Sequence, residues 1–409
     1  MINFPFPLPL ILDGATGTNL IAAGMPSGVC VEQWILEHPE VIIDLQAQFV
    51  QAGVNALYAP TFGANRHKLA GYELESRVEE MNLRLVELTK QVAKPAGVLV
   101  GGDVSPAGVM IEPYGEATFE ELYQIYEEQI QALKKAGVDF IALETQMSLA
   151  DMRAGVLASK KAGLPVFVTM TAEENGRSIM GTRPLSALLT LQAMGADAIG
   201  LNCSTGPDQM EQFLKELLPH ACVPLIAKPN AGKPEAENSC HYDLTPEQFA
   251  EDMERMFQSG IGILGGCCGT TPEHIKALHD RIQRKTFCMP SHEPDHYAAA
   301  IESEVFFLSD DIELSKPITC TYDLSDDLID LEDEQVNVAL VEINSQEDAD
   351  ILIENASMTR LPIDILVHDL SILEYTLRNF QGRLLVDTDC GFPKEQLKPI
   401  TDKYGAIVY

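Results

Sequence analysis

Gly265-Gly266-Cys267-Cys268-Gly269-Thr270-Thr271-Pro272 follows the apolar run Ile261 to Leu264 and precedes a helix-like run, Glu273 to Ile282. The stretch reads as the carboxyl end of a strand feeding a helix, with Pro272 in the first turn behind Thr271. Neighbouring residues of a regular strand point to opposite faces. Two adjacent thiols face one centre only where the backbone leaves that geometry, and flanking glycines permit it. A soft cation such as zinc suits converging thiolates, and a third cysteine is then expected from elsewhere. Cys203, in Gly200-Leu201-Asn202-Cys203-Ser204, ends another apolar run in the matching way. The ordinary alternative for any one cysteine is burial as a small hydrophobe. On spacing alone the glycine-flanked pair leaves a metal or redox site and a structural role evenly balanced, because it is not one of the close Cys-x-x-Cys zinc patterns.

Outward from this stretch, apolar runs alternate with amphipathic ones through the first 285 residues. The runs are Leu8 to Leu12, Val54 to Ala59, Gly97 to Gly101, Val138 to Leu143, Pro165 to Met170, Ala198 to Asn202, Val223 to Ala227 and Ile261 to Leu264. Helical patterns fall near 39–52, 75–93, 118–136, 148–162, 184–194, 207–218, 245–259 and 272–284. Thr245-Pro246 and Thr271-Pro272 supply helix starts, and Gly137, Gly163 and Gly195 supply stops. Eight strand-helix units with near-continuous apolar strands match an eightfold (β/α) TIM-type barrel better than an open doubly wound sheet. No Gly-x-Gly-x-x-Gly follows the first strand, which weakens any nucleotide-binding reading. In such barrels the carboxyl ends of the strands build the active site. Those ends carry Asp13, Thr61, Asp103, Glu144, Asn202, Cys203, Cys267 and Cys268.

The chain has 409 residues and a net charge of -33, which argues against nucleic acid and anionic membranes as partners. The charge is uneven: from Asp295 onward 25 Asp and Glu stand against 7 Lys and Arg, in keeping with a solvated face. Nine cysteines without framework spacing fit a reducing cytoplasm better than secretion. The amino-terminal residues lack a basic signal-peptide region, and no uncharged apolar run reaches membrane-spanning length.

The expected organisation is a barrel over 1–285, an acidic connector with one or two short strands over 286–336, and a small α/β domain over 337–409. In the last, Val338 to Ile343, Ile363 to Val367, Leu384 to Asp387 and Ala406 to Val408 read as strands, separated by helices at 346–358, 369–379 and 393–403. Its strand ends offer His368, Asp369, Asp387 and Asp389, for which ordinary surface roles are the expectation.

Together, Asp13-Gly14-Ala15-Thr16-Gly17-Thr18, Pro60-Thr61-Phe62-Gly63-Ala64-Asn65-Arg66, Glu144-Thr145, Gly200-Leu201-Asn202-Cys203 and Gly265-Gly266-Cys267-Cys268-Gly269-Thr270 resemble the homocysteine S-methyltransferase family. The resemblance covers residue 8 to about residue 284. It implies an eightfold α/β barrel binding Zn2+ through Cys203, Cys267 and Cys268. It also implies that Asp13 and Glu144 hold the amino group of homocysteine, and that the backbone around Ala15 and Thr16 holds its carboxylate. One departure stands out: Ala59-Pro60-Thr61-Phe62 occupies the place where the family usually reads Thr-Asn-Thr-Phe.

The implied activity is methyl transfer to the homocysteine thiol to give methionine. A cobalamin module with the pattern Asp-x-His-x-x-Gly is absent from the sequence, and a pterin-binding barrel needs roughly 250 residues. The methyl group is therefore expected from outside the chain, as methylcobalamin on a separate corrinoid protein or as a small sulfonium or ammonium donor. A non-catalytic zinc- or homocysteine-binding regulatory subunit, docking a partner through the acidic region, is the competing class. A thiol redox enzyme using Cys267 and Cys268 is a third, disfavoured because adjacent cysteines form only strained disulfides.

Overall fold

The computed structural model describes residues 4–234, 242–290, 297–309, 311–322, 324–331 and 334–409. Two compact units emerge, one of Met1–Met180 with Ala196–His292, the other of Gly181–Gly195 with Glu293–Tyr409.

The first unit holds eight strands: β1 (Leu10–Ile11), β2 (Ala56–Ala59), β3 (Leu99–Val104), β4 (Phe140–Gln146), β5 (Val166–Met170), β6 (Ala198–Asn202), β7 (Leu225–Lys228) and β8 (Ile263–Leu264). Each pairs in parallel with its neighbours in the order β1-β8-β7-β6-β5-β4-β3-β2. A parallel bridge between Leu12 and Ala56 joins the remaining edge, so the sheet closes on itself. Most strands are buried throughout, which is why their sequences read as apolar runs without alternation.

The barrel interior is filled by Leu10, Leu12, Tyr58, Phe140, Phe167, Ile226 and Ile263, with Phe4 and Phe6 packed against them. Phe140 stacks on Phe167 with ring centroids 4.4 Å apart. Room for the Phe140 ring comes from β3, where a side chain at Gly101 would lie 2.6 Å from that ring. Large rings and bare backbone thus interlock across neighbouring strands, filling the layer to interior density.

Helices with capped starts return the chain between strands. Thr118 and Thr245 each accept a hydrogen bond from the third helical residue while that residue's side chain reaches back to the cap. Gly137 and Gly163 end their helices in the left-handed region, which a residue without a β-carbon adopts freely. The sequence signals for these stops and starts coincide with the observed ends to within a few residues. Three short helices, Gly17–Ala22, Val31–Glu37 and Arg66–Ala70, lie outside the helical stretches expected from the sequence.

In the second unit, β9 (Ala298–Ile301), β10 (Val305–Phe307), β11 (Ile318–Thr319), β12 (Ala339–Ile343), β13 (Ile363–Val367), β14 (Gly382–Arg383), β15 (Leu385–Val386) and β16 (Ile407–Val408) form two sheets. One is antiparallel, β10-β9-β14; the other is parallel, β11-β12-β13-β15-β16. Residues 286–336 contribute three of these strands and the helix Ser325–Asp330. The helix Pro184–Ala193 packs in this unit, although in sequence it lies between β5 and β6. There the Ser186 hydroxyl donates to the Ile301 carbonyl, and Thr182 Oγ1 donates to Glu302 Oε1 at 2.6 Å.

Candidate metal centre

β6 and β8 flank β7, and the backbone turns sharply where each of the two ends. Cys203 and Ser204 both take left-handed conformations, φ 60° and 56°, which an L-residue adopts only where its surroundings enforce it. Here the enforcement comes from the chain leaving β7. The Cys203 amide donates to the Lys228 carbonyl at 3.0 Å, the Cys267 amide to the Pro229 carbonyl at 2.8 Å, and the Ala231 amide to the Cys268 carbonyl at 2.9 Å. Gly266 and Gly269 let the double cysteine bend, since a side chain at either would collide with Thr270 or with the Tyr242 ring.

The result is one cluster. The sulfurs of Cys203, Cys267 and Cys268 all lie within 4.8 Å of one another, with Cys203 Sγ and Cys268 Sγ 3.8 Å apart. The Cys267 contact lowers the Cys203 thiol, but Cys268 and burial outweigh it and push Cys203 up to about 12. For Cys268 the Cys203 contact lowers and the Cys267 contact and burial raise, again to about 12. Three thiolates packed so tightly repel one another unless a cation lies among them. The donor set therefore fits a thiophilic metal ion. Asn230, between the two residues that brace Cys267 and Cys268, has a buried Oδ1 with no hydrogen-bond partner.

Asn202 ties this cluster to β4. Its Oδ1 accepts from the Thr145 amide at 2.8 Å, and its Nδ2 donates to Thr145 Oγ1 at 2.8 Å and lies 3.8 Å from Cys267 Sγ. Thr145 is itself held at φ 60°, so the end of β4 bends toward the thiols under this pair of hydrogen bonds.

Beside the sulfurs lies a group of charges. Asp13, just beyond β1, is 2 % exposed and accepts from the Tyr58 amide at 2.8 Å. Lys228 Nζ is 2.8 Å from Glu144 Oε2, 3.9 Å from Asp13 Oδ1, and 3.8 Å from the Tyr58 ring centroid. Burial pushes the Asp13 carboxyl up to about 7, with Lys228 acting against it. Asp103 is also raised, by burial and then by the Glu144 charge. Thr61, in contrast, spends its hydroxyl on the Asp103 carbonyl at 2.8 Å and is a structural tie. The Ala15 amide is donated to Thr270 Oγ1 at 3.0 Å, while Thr16 precedes the helix Gly17–Ala22.

Lys228, Asn230 and Thr145 complete this site and were not singled out as functional by the sequence. A signal existed for Lys228: it stands at the end of a strand whose counterparts on β1, β3 and β4 are carboxylates. In the second unit, Asp369 caps the helix Leu370–Asn379, Asp387 accepts from the Asp389 amide, and His368 Nδ1 contacts the Cys390 carbonyl. These polar groups stabilise turns. Nearby Asp364 is buried on β13 and pushed up to about 8 by burial and by Asp387.

Residues 10–282 match the homocysteine S-methyltransferase family. The chain belongs to that family. Among its relatives, the methionine synthase of Mycobacterium tuberculosis (strain ATCC 25618 / H37Rv) is 32% identical over 288 residues, covering 66% of this chain and 24% of that protein. The methionine synthase of Mycobacterium leprae (strain TN) is 30% identical over 294 residues, covering 67% and 24%. The chain thus spans about a quarter of the length of these curated relatives. The barrel fold is shared with crystal structures of the homocysteine methyltransferase MmuM from Escherichia coli. Its metallated form aligns with a TM-score of 0.58 at 24% identity over 66% of this chain and 96% of that one. The oxidized form gives 0.57, at 24% identity over 66% and 95%. Among the described residues of this family member, no helix is long and apolar enough to cross a membrane.

Proposed function

We propose that this chain is a zinc-dependent homocysteine S-methyltransferase that makes methionine with a methyl group delivered from outside the chain. The observation that carries this reading is the convergence of the Cys203, Cys267 and Cys268 sulfurs beside a buried carboxylate cluster. Bound by these three thiolates, zinc would lower the pKa of the homocysteine thiol while leaving the sulfur electron-rich. A free thiol, with a pKa near 8.5, is mostly protonated at neutral pH and a poor nucleophile.

The residues of the chain position the substrate. Asp13 and Glu144 take the ammonium group, and the backbone around Ala15 and Thr16 takes the carboxylate, where the Ala15 amide also donates to Thr270 Oγ1. Fixing both ends of the amino acid leaves its thiol directed at the cysteines, which turns orientation into rate. The sulfur forms its new bond to the methyl carbon as the bond to the donor breaks. That donor is methylcobalamin on a separate corrinoid protein or a small sulfonium or ammonium compound. A reducing cytoplasm would keep the three thiols available.

The test is methionine formation from homocysteine with methylcobalamin, S-methylmethionine, betaine and methyltetrahydrofolate in parallel. One donor should exceed the others by orders of magnitude. Cys203→Ser, Cys267→Ser and Cys268→Ser should each lose most bound zinc and at least about a hundredfold in transfer, since a metal-binding thiolate has no equivalent in a hydroxyl. Full zinc and full transfer in any of them would sink the reading. Zinc and homocysteine binding with no methionine from any donor would establish the regulatory-subunit alternative.

A further inference from the structure

Burying an ammonium in a barrel core costs solvation that an aliphatic side chain would not, so a lysine at such a place calls for a reason. Lys228 is 2 % exposed, and the chain just beyond β8 is bare beside it: a side chain at Gly265 would lie 3.2 Å from Lys228 Cγ and 2.9 Å from the Asp13 carbonyl oxygen. Its Nζ holds Glu144 Oε2 at 2.8 Å and stands off Asp13 Oδ1 at 3.9 Å. Asp13 Oδ1 and Asp103 Oδ1 are buried without hydrogen-bond partners. The cluster thus has one carboxylate fixed by a lysine and two carboxylate oxygens still lacking donors. A substrate ammonium, with three N–H groups, supplies what those oxygens lack.

We propose that Lys228 is a positioning residue that orients Glu144 and balances Asp13 and Asp103, so that the site selects thiols bearing an α-ammonium over thiols that lack one. This inference rests on the methyltransferase reading above. Three carboxylates with no cation among them repel and take up protons, and a neutral carboxyl no longer draws an ammonium. One resident cation opposes that proton uptake at Asp13 and Asp103 while it holds Glu144 in place. The ionisable groups around Lys228 include Glu144, Tyr58, Asp13, Asp103 and Cys267, and of its two carboxylate ion-pair partners Glu144 lies at hydrogen-bonding distance from Nζ while Asp13 stands off.

The experiment is calorimetric binding of L-homocysteine and of its desamino analogue, 4-sulfanylbutanoate, to the zinc-loaded full chain, for wild type, Lys228→Met and Lys228→Arg. Lys228→Met should bind homocysteine about tenfold more weakly, equivalent to about 1.4 kcal/mol, and bind the analogue within about twofold of wild type. Lys228→Arg should recover at least about half of that loss on a logarithmic scale. In turnover the loss should fall on KM, with kcat within about twofold. Equal weakening for both thiols would reveal a general effect on pocket shape and overturn the proposal, as would unchanged or tighter homocysteine binding. Wild-type protein that binds neither thiol would overturn the methyltransferase reading and this inference with it.

Discussion

Burial pushes the Asp13 carboxyl from its ordinary value to about 7, so its charge switches on within the physiological range. Below that value Asp13 is largely protonated and offers an ammonium group little attraction; above it the carboxylate is formed. Homocysteine affinity should therefore rise about tenfold between pH 6 and pH 8 from this group, the limit for a single titration centred at 7. The thiol adds its own pH dependence, which the desamino analogue reports alone, so the ratio of the two affinities isolates Asp13. A ratio flat across that range, or falling with pH, would show that Asp13 does not meet the ammonium. The sign for stability is opposite. A carboxyl whose folded pKa is raised contributes most to the fold at acid pH, and that contribution is lost as pH rises through about 7.

At the scale of elements, β6 carries both Asn202 and Cys203 to the site, and its alignment depends on bare backbone. A β-carbon on Gly200 would lie 1.9 Å from the Ile226 carbonyl oxygen on β7, and neither strand can give way without breaking the ladder. Gly200→Ala should cost about 3 kcal/mol, on the order of 5–10 °C in Tm, and lower zinc content in the same preparation. Gly17→Ala, where the added carbon meets nothing within 4 Å, should stay within about 0.5 kcal/mol of wild type and serves as the control. The barrel strands were legible because burial on both faces writes them as apolar runs. β3 and β4 nonetheless continue past their runs, through Asp103 and Glu144, because ladder hydrogen bonds rather than hydrophobicity set a strand's length. The same cause hid Lys228: a charge after an apolar run reads as the end of a strand, yet it is the last residue of β7. The glycines around Cys267 and Cys268 made their bend readable. The brace from 228–231 was not, since it joins residues distant in the chain by main-chain bonds that leave no mark on the choice of side chain.

For the whole molecule, the division of the chain is what the sequence conceals. Order along the chain places the helix Pro184–Ala193 in the barrel series, whereas packing places it in the unit formed mainly by residues after 292. Its Ala187, Leu188, Leu189 and Leu191 are buried, and the strands β9 and β14 lie against it. A protein ending at residue 285 should therefore expose these side chains, at about 1.5–3 kcal/mol for each leucine uncovered. The expected outcome is a fall in soluble yield and self-association by light scattering. A monodisperse 1–285 fragment with undiminished Tm would contradict it.

That interleaving bears on how such a chain can be rearranged. A single crossover in a linker cannot exchange the barrel for a relative's, because one helix encoded inside the barrel has its packing partners encoded far downstream. Chimaeras would have to swap residues 181–195 together with the carboxyl-terminal segment, two stretches that move as one cassette in any such exchange.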